Sequence, residues 1–181
     1  MDFVRFNAPD SPGVNQWASA INNEAAIAEI PPCLLAAVVS RETGGQNILQ
    51  HGMAPGPGCG VGLTQITSGV DWSDIHDPRL HGYHLMDPGQ NLYVAAAYYL
   101  APLVKDANRL SQTDIVSYKK FGGGQMAYYV FAGYNAGWGA VQEAIARGID
   151  PDAYTTNHYA SDTFRRYMDF VRASHAAARP K

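Results

Sequence analysis

Apolar and polar positions in this chain follow a mostly helical rhythm. In "GVNQWASAINNEAAIAEI", Trp17, Ile21, Ala25 and Ala28 recur at three- and four-residue steps, so they line one face of a helix. Pro31-Pro32 ends that helix and supplies first-turn residues for the next. "CLLAAVVSRET" is apolar almost throughout and predicts a buried helix, stopped by Gly44-Gly45. Between Gly44 and Gly69 the rhythm disappears. Glycine and proline dominate there, and only "VGLTQIT" has the character of a strand, which predicts a small sheet or wall within a loop region.

A second irregular stretch, "DWSDIHDPRLHGYHLMDPG", leads to Asp87-Pro88, an N-cap and first-turn pair that opens "GQNLYVAAAYYLAPLVKDA". Pro102 is expected to kink or end that helix. "SQTDIVSYKKFGGG" reads as mixed helix and loop, and "QMAYYVFAGYNAG" and "WGAVQEAIARG" as two apolar helices broken at "YNAG". The final helix is expected from Thr155-Thr156, with Tyr159, Phe164, Met168 and Val171 along one face. The fold class is therefore mainly α (α+β), with a minor β element. Pro9, Pro12 and Gly13 mark residues 1–13 as an N-terminal arm packed outside the core, and residues 14–181 as a single domain.

Composition narrows the partners. The 181 residues are 46% hydrophobic and 16% charged, which fits a globular domain rather than a disordered chain. The net charge is −3 and no basic run occurs, so a nucleic acid or acidic membrane held by charge is not expected. No stretch approaches the ~20 apolar residues of a membrane span. The opening "MDFVRFNAPDSPG" lacks the basic and apolar regions of a secretion signal, so cytoplasmic synthesis without a signal peptide is expected. Cys33 and Cys59 are too few for a disulfide framework or a four-ligand zinc site. They read as buried free thiols or as one disulfide. His51, His76, His81 and His84 lie near aspartates, but "HDPRLHGYH" has neither a helix-based ligand pair nor cysteine ligands. No metal and no cofactor is expected.

One residue breaks the apolar logic. Glu42 falls in the last turn of the "CLLAAVVSRET" helix, where the backbone carries partial negative charge and the apolar surroundings desolvate a carboxylate. Both effects favour the neutral acid, which can donate a proton near neutral pH. Pairing with Arg41 is the plain structural alternative.

Three motifs in order give Glu42 a context: "SRET", "GVGLTQI" and "AGYNAGWGAV". Together they resemble the soluble lytic transglycosylases and goose-type lysozymes, which cleave the glycan strands of bacterial peptidoglycan. "DPGQNLYVAAAYYL" is similar to the family helix between the second and third motifs, and "TTNHYASDTFRRY" to the last family segment, whose tyrosine matches Tyr159. The resemblance spans residues 33–172 and implies a lysozyme-like helical domain with an active-site cleft. It implies that Glu42 protonates the glycosidic oxygen between N-acetylmuramic acid and N-acetylglucosamine. It also implies that Thr43, Gly62, Leu63, Gln65, Tyr134, Asn135 and Tyr159 contact the sugar. The expected partner is peptidoglycan, bound by a monomer.

A departure from the goose-type branch bears on mechanism. Those lysozymes carry aspartates in and just before the second motif, whereas "MAPGPGCGVGLTQIT" has no acidic residue and Thr67 stands where one is expected. A hydrolase requires a second carboxyl group, and the candidates are Asp71, Asp74 and Asp77. A lone glutamate suits a transglycosylase, which forms 1,6-anhydro-muramic acid ends without water. Goose-type hydrolysis is the alternative reading, and a non-catalytic glycan-binding or virion structural module is the second. A wall target reached by cytoplasmic synthesis suggests a bacteriophage lysis enzyme released through a holin. A virion-borne or specially exported bacterial enzyme is the next reading.

Overall fold

A computed structural model of the protein describes residues 4, 6, 11–49, 60–67 and 84–177. After a short 3₁₀ turn at Asn15–Trp17 come helices α1 (Ala18–Ile27) and α2 (Pro32–Thr43). A two-stranded antiparallel hairpin follows, β1 (Gly60–Val61) and β2 (Ile66–Thr67), in register Gly60 to Thr67 and Val61 to Ile66. Helix α3 (Pro88–Val94) then runs through a π-helical turn at Ala95–Leu100 into α4 (Ala101–Thr113). Helices α5 (Ile115–Lys120), α6 (Met126–Ala136), α7 (Trp138–Ala146) and α8 (Tyr159–Ala177) complete the order. The fold is thus mainly helical with one minute sheet, the class that the periodicity predicts. None of the described helices is long and apolar enough to cross a membrane.

Two helices make the centre. Every residue of α2 from Pro32 to Ser40 is buried, and so is every residue of α6 from Ala127 to Gly133. Helix α8 packs against both, while α4 covers α6 and α1 covers α2. The helical glycine Gly133 brings α4 close: a Cβ there would lie 2.6 Å from a Leu103 methyl. Asp87 caps α3 as expected, accepting a 2.9 Å bond from the Gln90 N–H, with Pro88 in the first turn.

Several expectations need correction. Pro102 neither ends nor breaks its helix. It has no N–H, and its ring disfavours an ordinary α turn before it; here the preceding turn is widened, with the Ala101 N–H reaching back to the Ala96 carbonyl. "VGLTQIT" is not one strand but the tip of a hairpin, because Gly62 (φ 75°) and Gln65 (φ 51°) both adopt left-handed backbone. The last helix starts at Tyr159, since Asn157 (φ 52°) and His158 (φ 53°) interrupt it. Its most buried positions are Tyr159, Ala160, Thr163 and Phe170, with Phe164, Met168 and Val171 only partly buried.

The N-terminal arm also contributes to the core. Phe6 is fully buried, edge-on to Phe170 at 5.6 Å, and the Asn22 side chain bonds both the Val4 N–H and its carbonyl. Burying a phenylalanine is worth about 1.5–3 kcal/mol, enough to hold Phe6 against Phe170. Cys33 is a free buried thiol, pushed up to about 11 by that burial against a smaller opposing backbone hydrogen bond. Cys59 lies outside the described residues.

Candidate active site

Glu42 is the penultimate residue of α2, and Gly44 ends that helix in left-handed conformation (φ 62°). The N-terminal segment locks this stop. Trp17 Nε1 donates to the Gly45 carbonyl at 2.8 Å, Gln16 Nε2 donates to it at 3.1 Å, and a Cβ on Gly45 would collide with the Gly13 backbone. The loop that follows the carboxyl is therefore anchored at its first step.

Tyr159, at the start of α8, donates its phenolic proton to Glu42 Oε1 at 2.6 Å. The Tyr159 ring lies nearly parallel to that of Tyr134 (centroids 6.4 Å, 12°), and Tyr134 is inclined against Tyr99 at 5.9 Å. The Arg41 guanidinium carbon sits 5.1 Å above the Tyr159 ring. Burial among these aromatic groups raises the pKa of Glu42; the Tyr159 hydrogen bond and the Arg41 charge act the other way but do not overcome it.

The hairpin is tied to this group from two sides. Thr43 Oγ1 donates to the Leu63 carbonyl at 2.9 Å, and Tyr134 donates its hydroxyl proton to the Thr64 carbonyl at 2.9 Å. From α3, the fully buried Asn91 accepts from the Thr64 N–H (3.0 Å) and hydroxyl (2.8 Å) and donates to the Val61 carbonyl (2.9 Å). Gly62 lies against that carboxamide, where a side chain would collide with Asn91 and the Leu85 carbonyl. Gln65 Nε2 donates to the carbonyls of Gly62 (2.9 Å) and Ile48 (3.1 Å).

Of the residues singled out in the sequence, Glu42, Thr43, Gly62, Leu63, Gln65, Tyr134 and Tyr159 form one connected set. Asn135 is one step removed: it is exposed, and its Oδ1 accepts from the Thr156 N–H at 2.8 Å, which leaves the amide hydrogens for a ligand. The hydroxyl protons of Thr43 and Tyr134 are already committed to backbone carbonyls, so both groups can meet a sugar only as acceptors or through an apolar face. Leu63 is fully buried and serves as packing. Gly137 has open space around it; its φ of 84° is what requires glycine.

Sequence reasoning passed over Asn91 and Tyr99. The signal for Asn91 was an amide pair, Gln90-Asn91, heading an otherwise apolar helix. No group of acidic, histidine and cysteine residues suited to a metal occurs among the described residues, and His51, His76 and His81 lie outside them. Asp71, Asp74 and Asp77 lie outside them too.

No curated protein sequence matches the chain. The model of the Transglycosylase SLT domain family matches residues 19–156, well over half of it, and includes Glu42, the hairpin and the "AGYNAG" helix. The match and the mainly helical lysozyme-like fold agree: the chain belongs to the transglycosylase SLT domain family.

Proposed function

We propose that this enzyme cleaves the β-1,4 bond between N-acetylmuramic acid and N-acetylglucosamine, with Glu42 as the one carboxyl group that acts first as acid and then as base. Family membership already makes the chain a transglycosylase-type, glycosyl-cleaving enzyme of peptidoglycan. The observation that carries the finer reading is the state of Glu42, a buried carboxyl held by a tyrosine hydroxyl and raised in pKa by desolvation.

In the first step the Glu42 proton passes to the bridging oxygen and the bond to the muramyl C1 breaks, with oxocarbenium character at C1. In the second, the Glu42 carboxylate takes the proton of the muramyl C6 hydroxyl while that oxygen bonds to C1. Glu42 ends protonated, and no water is consumed. Intramolecular attack substitutes proximity for a second carboxyl group. The stretch "MAPGPGCGVGLTQIT" carries no acidic residue to activate water, which favours this course over hydrolysis. Tyr159 fixes the orientation of the acid, and Asn135 offers its amide to the glycan.

Digestion of purified peptidoglycan followed by mass analysis tests the reading. Fragments should end in 1,6-anhydro-muramic acid, lighter by one water than a reducing end and inert to borohydride. Glu42→Gln should slow the release of both fragments by about 10²–10⁴-fold while the fold survives. Reducing ends that disappear on replacing Asp71, Asp74 or Asp77 would make the protein a goose-type hydrolase. Undiminished cleavage by Glu42→Gln would remove Glu42 from the chemistry.

A further inference from the structure

Arg41 places a permanent positive charge one residue before the proposed acid. A guanidinium free to reach the Glu42 carboxyl would hold it ionised at neutral pH, the wrong state for donating a proton. The structure turns the arginine elsewhere. Its Nε lies 3.1 Å from Asp162 Oδ2, and its guanidinium carbon stands over the Tyr159 ring. Asp162 follows Tyr159 by three positions on α8, so the two side chains share a face of that helix.

Asp162 is itself braced. Arg166 Nε donates to Oδ2 at 3.1 Å and Arg165 Nη2 donates to Oδ1 at 3.1 Å. Arg166 Nη1 also donates to the buried Ser40 Oγ at 2.9 Å, which joins α8 to α2 two residues before Glu42, and Ser40 in turn bonds Ser11 of the N-terminal segment. The Arg41 and Asp162 side chains are only 25% and 30% exposed, so their attraction is screened less than that of a surface pair.

We propose that Asp162 is a positioning residue for the acid: it holds the Arg41 guanidinium against the Tyr159 ring and thereby keeps that charge from pairing with the Glu42 carboxyl. The inference rests on the reading of Glu42 as the acid. Among the described residues, the groups around Glu42 are Arg41 and Thr43 from α2, Tyr134 from α6, and Tyr159 from α8 with Asp162, Arg165 and Arg166 behind it. Tyr99 stands behind Tyr134, and the hairpin meets Tyr134 through the Thr64 carbonyl. Arg41 is the cation whose charge acts on Glu42, and Asp162 is the anion in contact with Arg41.

Carbon-13 NMR titration of the Glu42 carboxyl in the full chain tests this without turnover. In Asp162→Asn the released guanidinium should turn to Glu42 and lower its titration midpoint by about one pH unit. In Arg41→Met the midpoint should rise, and the double variant should match Arg41→Met alone. An unchanged midpoint in folded Asp162→Asn would overturn the proposal. So would an equal fall in the Arg41→Met background, since Asp162 would then act as a bare charge. Should Asp162→Asn not fold, Arg41→Met still decides, because a midpoint that stays put shows that Arg41 exerts no pull to be restrained. The glycan digest with Glu42→Gln judges the catalytic reading separately.

Discussion

Two carboxyl groups flank the start of α8, and although both are desolvated their pKa values move in opposite directions. Asp152 is 7% exposed, and burial pushes its pKa up. Yet Ser161 Oγ (2.6 Å), Thr155 Oγ1 (2.6 Å) and the Ala160 N–H (2.8 Å) all donate to it, and together they bring it below the ordinary aspartate value. Among the described residues Glu42 receives one hydroxyl, from Tyr159, and stays raised. The difference follows from the ends of helices. Asp152 meets the N-terminus of α8, where backbone N–H groups are free to donate, whereas Glu42 rides on the C-terminus of α2, where the free backbone groups are carbonyls. If Glu42 is the acid, as proposed, it gains from the poorer end.

Removing the better-served group should have the larger effect on the fold. Asp152→Ala orphans several buried donors and should destabilise the protein by about 2–4 kcal/mol in denaturant titration. Because folding lowers the Asp152 pKa, its stabilisation is fully present above the ordinary value of 3.8 and is lost as pH falls through the folded value. The gap between variant and parent should therefore narrow below about pH 4. A gap constant with pH would assign Asp152 a packing role only.

Tyr159→Phe makes Glu42 still poorer in donors. Glycan cleavage should fall by about tenfold, and the alkaline limb of its pH profile should move upward, because the lost bond favoured the carboxylate. A limb that stays in place would detach the hydrogen bond from the acid's protonation. The smallest effect is expected from Glu42→Gln on stability. A raised carboxyl contributes fully below its ordinary value of 4.5 and loses that contribution as pH rises through the folded value. The glutamine variant should accordingly melt about 2 °C higher than the parent at pH 7 and no higher at pH 4. Equal melting at both would show that the folded state bears no penalty for ionising Glu42.

The helices were legible because their signals are local. The apolar run of α2 needs only burial and a glycine stop, and Asp87-Pro88 declares the start of α3 within two residues. Glu42 could be singled out for the same reason, as a carboxyl misplaced on an apolar helix. Its bond to Tyr159 could not be read from periodicity, since 117 positions separate the two; the motif order supplied that tyrosine. Asp162 and Asn91 act through partners on other elements, and their own neighbourhood does not identify those partners. Phe6 was misjudged because the prolines and glycine around it outweighed one aromatic residue whose pocket is made by α8. The hairpin was mistaken for a strand because Gln65 in left-handed conformation has no composition cue.

The widened turn at Ala95–Leu100 has a consequence for how this chain can vary. A π turn holds one residue more than the α turn it replaces, and each residue in a helix rotates the next by about 100°. Upstream of it, Asn91 must face the hairpin; downstream, Leu103 must face Gly133. Deleting any one residue between Ala95 and Leu100 would remove the extra residue, set the Pro102 ring against an ordinary α turn and leave those two orientations incompatible. The stretch looks like an alanine- and tyrosine-rich filler that could lose a residue without harm, but its length is fixed by the two faces it sets.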